Sequence, residues 1–118
     1  MPGLIFRTRA PSRDDESDNS RLNALQSAVS TVAAQIKSEH QGLSARYAKF
    51  TDTAAFAELA LENGSGLPMA KRLGELSDSI SAYSRRLSDL EAQEAFLMAI
   101  ADQLSAFPRS APPTLRQR

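Results

Sequence analysis

Between residues 20 and 62 the large apolar side chains recur on alternating steps of three and four, as Leu22, Leu25, Val29, Val32, Ile36, Leu43 and Phe50, with Glu39 and Arg46 in the two places left over. Such steps return to the same side of an α-helix once per turn, so the spacing predicts a helix with one apolar seam repeating every seven residues. Asp18, Asn19 and Ser20 can accept from the first unpaired backbone N–H groups, which puts the expected start near residue 20. A second stretch carries the same rhythm: Leu73, Leu76, Ile80, Tyr83, Leu87, Leu90, Leu97, Ala101 and Leu104, with Glu94 at the one charged place. Pro68 suits a first helical turn and Pro108 stops a last one.

Between the stretches lies Asn63-Gly64-Ser65-Gly66-Leu67-Pro68, whose glycines can take positive φ and whose proline restricts Leu67. Residues 20–62 and 68–107 make helices of 43 and 40 residues, each roughly 60 Å long. Folded back about residue 65, facing positions sum to about 130, which sets Tyr47 against Tyr83, Leu43 against Leu87, Phe50 against Ile80 and Leu25 against Leu104. The expected fold is therefore all-α: a long antiparallel two-helix hairpin, coiled-coil-like, over residues 20–107 with its turn at 63–67. Thr51, Asp52 and Thr53 offer a weaker break, which would leave a short extra helix over 54–62; the continuous hairpin is the preferred reading.

Composition then narrows the class. One chain of 118 residues with no Cys excludes a disulfide-stapled fold, a thiolate metal centre and a cysteine nucleophile. Fourteen basic and fourteen acidic side chains cancel, so bulk charge selects neither nucleic acid nor an anionic membrane. Arg outnumbers Lys 11 to 3 and Ala is abundant, a composition that GC-rich bacterial genomes encode. Residues 1–19 hold Pro2, Gly3, Pro11 and an acidic cluster at 14–18 without periodicity, and residues 108–118 hold three Pro and three Arg. Both read as disordered tails. Leu4, Ile5 and Phe6 are too few for a signal-peptide core, and no apolar run reaches the length of a membrane span, so a cytoplasmic protein is expected.

Candidate chemistry is sparse. His40 is the single histidine, and the register places it in one layer with Glu39, Glu91 and Glu94. A carboxylate-bridged metal site would use those four, but adjacent residues on a helix point about 100° apart, so Glu39 and His40 converge poorly on one ion. A polar layer that fixes register is the preferred reading, with no cofactor. Arg109, Arg116 and Arg118 could bring a nucleic acid to the basic tail, a weaker alternative because the paired basic residues elsewhere are flanked by acids. Ser77, Ser79, Ser81 and Ser84 cluster on the second helix without a neighbouring imidazole, so no hydrolase triad is expected. What remains is apolar surface. Phe56, Leu59, Phe96, Met98, Ile100 and Phe107 lie beside or opposite the seams and are the expected interaction residues. The sequence thus predicts a non-enzymatic interaction or assembly protein, a homo-oligomer with a protein partner.

Overall fold

A computed structural model of the chain describes residues 11–64 and 66–109. It consists of two α-helices, α1 (Pro11–Glu62, 52 residues) and α2 (Leu67–Ala106, 40 residues), with no strand among the described residues. Side chains that meet from one helix to the other, Phe50 with Tyr83, His40 with Glu91 and Gln26 with Arg109, fix the pair as antiparallel. The architecture is the all-α hairpin expected. The chain divides into two compact units, Met1–Val32 with Leu97–Arg118 and Ala33–Phe96; we call these the terminal unit and the turn unit.

The first helix begins at Pro11 rather than near 20. Proline lacks the N–H that would be an orphan in a first turn, and its fixed φ is already helical. Asp14 stands in that turn, where a carboxylate is favoured by the partial positive charge of the helix start. The acidic run that reads as a tail is thus helix-start chemistry over residues 11–19. The rest of the expected disordered tails, residues 1–10 and 110–118, lies outside the described residues.

No short extra helix occurs over 54–62, because α1 continues through Thr51–Thr53. The threonine hydroxyls bond backward into the helix instead of capping a new one. Thr51 Oγ1 donates to the carbonyls of Tyr47 (3.0 Å) and Ala48 (2.8 Å), and Thr53 Oγ1 donates to Lys49 (2.9 Å). Gly64, with φ +98°, ends α1: its N–H reaches Leu61 O at 3.1 Å, the inner bond of a Schellman-type cap. Gly66 O then accepts from Met69 and Ala70 at the start of α2.

In α1 the shielded positions run Leu22, Gln26, Val29, Ala33, Ile36, His40, Leu43, Tyr47, Phe50, Ala54, Ala57 and Leu61, an unbroken four-three alternation. In α2 they run Met69, Leu73, Leu76, Ile80, Tyr83, Leu87, Leu90, Glu94, Leu97, Ala101 and Leu104. The second seam is the expected one. The first shares Leu22, Val29, Ile36, Leu43 and Phe50 with the expectation, but its alternate places fall one residue later. Leu25 and Val32 are therefore exposed, and Gln26 rather than Leu25 lines the same groove as Leu104.

In the turn unit the most shielded large side chain is Leu90, 1% exposed, with Ile36, Ala57 and Leu76 also buried. Phe50 stacks on Tyr83 with ring centroids 5.3 Å apart and planes 18° from parallel, an offset arrangement that adds about 0.5–1.5 kcal/mol to the burial of the rings.

Candidate functional site

Of the four residues expected in one polar layer, Glu39, His40, Glu91 and Glu94, the turn unit joins only His40 to Glu91. His40 occupies a seam position of α1, half-buried, with Nε2 3.1 Å from Glu91 Oε2 on α2. One turn on, Ser44 Oγ lies 3.4 Å from Nδ1. A neutral ring with its proton on Nε2 satisfies both neighbours, donating to the carboxylate and accepting from the hydroxyl. Glu39 points elsewhere. Its two oxygens accept from Arg86 Nε at 2.9 Å and Nη2 at 3.1 Å, a bidentate fork. Those hydrogen bonds hold the Glu39 carboxyl below its ordinary range against a smaller opposing desolvation, with the guanidinium charge adding to them, and Glu39 in turn raises Arg86. Glu94 takes a half-buried seam place on α2. Among the described residues no three His, Cys, Asp or Glu groups converge as a metal site would require. The hundred-degree offset of neighbouring helical residues, which argued against shared ligation, is what sends Glu39 to Arg86 and His40 to Glu91.

Of the expected interaction residues, Phe56, Leu59, Phe96, Met98 and Phe107 are exposed, Phe56 most at 73%, and Ile100 is half-buried. They divide between the two units. Phe56, Leu59 and Phe96 belong to the turn unit, and Met98, Ile100 and Phe107 to the terminal unit. Sequence reasoning missed Leu25 and Val32 as surface residues because it counted them into the seam. The signal that could have found them was Gln26 and Ala33: a helix whose inner places are small or polar while their neighbours are large is turned by one position from the obvious reading.

In the terminal unit, Asp18, Asn19, Arg21 and Leu22 of α1 border a groove of about 320 Å³ with Phe107 and Pro108. A second groove, about 220 Å³, runs between Gln26, Val29 and Ser30 and the opposing Ala101, Leu104 and Ser105. Arg109 Nη2 donates to Gln26 Oε1 at 3.1 Å, which ties the first arginine of the basic tail to the hairpin; Arg116 and Arg118 lie outside the described residues. No helix of the described residues is long and apolar enough to cross a membrane. Comparison with protein-family models, curated proteins and solved structures finds no match for this chain.

Proposed function

We propose that the chain is a non-catalytic assembly protein, a helical hairpin that self-associates and presents its remaining apolar side chains to a protein partner. The observation that carries this reading is an imbalance. Ile36, Ala57, Leu76 and Leu90 are the buried hydrophobic residues among those described, whereas eight large ones stay exposed: Leu25, Val32, Phe56, Leu59, Leu67, Phe96, Met98 and Phe107. Two helices shield one stripe each, and large apolar side chains left outside it favour a covering partner. A cytoplasmic, bacterial setting belongs to the same proposal.

Sedimentation velocity on the full chain across micromolar concentrations tests it. A mass of two or more chains is expected; a monomer throughout removes self-association from the function.

A further inference from the structure

The chain holds three asparagines, Asn19, Asn23 and Asn63. An asparagine can modify itself when the backbone nitrogen of the next residue attacks its side-chain carbon Cγ, expelling ammonia and closing a cyclic imide. Closure asks for a following residue with no Cβ in the way, a backbone nitrogen that can leave its hydrogen bond, and water at the site. The three asparagines differ sharply on these counts.

Asn19 and Asn23 lie inside α1 and are followed by Ser20 and Ala24. There the next N–H is tied to a carbonyl four residues back, and neighbouring turns must open before it can swing toward the side chain. Asn23 is exposed all the same, so access to water alone does not set Asn63 apart. Asn63 stands just past the last residue of α1 and is exposed, as is Gly64 after it. Gly64 has a φ of +98°, and a Cβ added there would meet nothing within 4 Å. The space round the attacking nitrogen is open. Its N–H donates to Leu61 O at 3.1 Å, the outermost of the described bonds that close α1, and end bonds of a helix fray before inner ones.

We propose that Asn63 is a site of self-catalysed deamidation, the one asparagine of the three whose surroundings let the folded hairpin cyclise. A bond forms between Gly64 N and Asn63 Cγ, the Cγ–Nδ2 bond breaks, and Nδ2 leaves as ammonia, the Gly64 amide proton passing to it through solvent. Water then opens the imide on either side. Opening at Cγ leaves aspartate at position 63. Opening at the original backbone carbonyl leaves isoaspartate, with the main chain rerouted through Cβ and Cγ. Water is the sole co-reactant.

The product bears on the turn that joins the helices. Either form leaves a new carboxylate where α1 ends, against the partial negative charge of its last carbonyls. Glu62 stands beside it, and the last turn of α1 has no basic side chain to offset it. Isoaspartate also adds a methylene to the main chain, which shifts the Gly64 N–H away from Leu61 O and loosens the cap. The inference is independent of the assembly reading, since the reaction needs no second chain.

The test ages the full chain in heavy-oxygen water at neutral and at mildly alkaline pH. Trypsin, cutting after Arg13, Arg21, Lys37, Lys49 and Lys71, places the three asparagines on separate peptides, 14–21, 22–37 and 50–71. Mass spectrometry then reads the heavy oxygen each has gained over unaged protein carried through the same digest. Uptake in 50–71 is expected to run at least roughly tenfold faster than in 22–37, a barrier difference of about 1.4 kcal/mol, to rise with pH and to yield both aspartyl and isoaspartyl forms. Asn63→Gln is expected to abolish it, which sets Asp52 aside as its source. Gly64→Ala is expected to slow it although that change weakens the cap, because a Cβ obstructs the attacking nitrogen. Aged wild type should melt a few degrees below fresh protein, and aged Asn63→Gln should not. Uptake at Asn63 no faster than at Asn23, uptake in 50–71 that survives Asn63→Gln, or uptake undiminished in Gly64→Ala overturns the site. An unchanged melting midpoint after conversion overturns its consequence for the turn.

Discussion

Glu39 and Arg86 meet across the two helices as a bidentate fork, at 2.9 and 3.1 Å, from positions 47 residues apart in the chain. The folded state thereby lowers the Glu39 carboxyl. A group whose pKa falls on folding contributes stability that is fully present above its unfolded value and is lost as pH drops through the folded one. We expect a carbon-detected NMR titration to show Glu39 protonating below the ordinary carboxylate range. In Arg86→Gln it should return upward toward the ordinary range. An unchanged midpoint in that variant would separate the shift from the guanidinium. Because both side chains are about half exposed, the effect on overall stability should be small and should fade in salt.

His40 holds a half-buried seam place of α1 and is joined to Glu91. If it sets register at the expense of stability, as a polar residue at an inner coiled-coil place does, His40→Leu raises the unfolding free energy measured in urea by on the order of 1 kcal/mol. A fall would make the Glu91 and Ser44 bonds worth more than the apolar contact. Neither wild type nor variant should respond to chelator or to added divalent ions, since Glu39 is already held by Arg86. A thermal midpoint that moves by several degrees on chelation and returns with one ion would contradict this.

The glycines are expected to divide by backbone angle. Gly42 and Gly74 lie within helices, exposed, and a Cβ added to either meets nothing within 4 Å. Alanine at each should stabilise by about 0.5–1 kcal/mol through helix propensity and a less flexible unfolded chain. Gly64, with its φ of +98°, should do the reverse, Gly64→Ala lowering stability by about 1 kcal/mol. Thermal melts of the three single variants check the opposite signs.

Phe50 and Tyr83 supply the aromatic layer of the turn unit. Phe50→Ala is expected to lower stability by roughly 2–3 kcal/mol, less than a fully buried ring would. Tyr83→Phe keeps the stacked ring and should stay within about 0.5 kcal/mol of wild type. Equal losses in the two variants would move the importance from ring to hydroxyl.

How far these features were legible in the sequence depended on where large side chains stand. The seam of α2 is aliphatic or aromatic at nearly every inner place, so counting by three and four finds it at once. In α1 the inner places include Gln26, Ala33, His40 and Ala54, while the outer neighbours Leu25 and Val32 are bulkier. Size pulled the reading one residue, or about 100°, to the side. Thr51 and Thr53 offered only a weaker break, their hydroxyls favouring caps, and the preferred continuous helix accepts them by bonding back to its own carbonyls. Pro11 and the acids after it read as tail by composition, though their order along the chain is that of a helix start. The pairing of Glu39 with Arg86 was not legible, because it follows from the inward rotation of α1 that places Glu39 on the same edge as Arg86.

The cap at Gly64 also bears on the order in which the molecule comes together. With so short a connection, the first contacts between helices close small loops. Phe50 and Tyr83 are only 33 residues apart in the chain, whereas Gln26 and Arg109 are 83 apart. Loop closure grows less favourable with length, so each layer is most easily reached once the one nearer the turn has formed. We expect native-state hydrogen exchange to find amides of residues 43–57 and 73–87 opening less often than those of 20–30 and 98–106. The last layers to close are those bearing Gln26 and Leu104, so heat or denaturant should unzip the pair from its open end toward the turn.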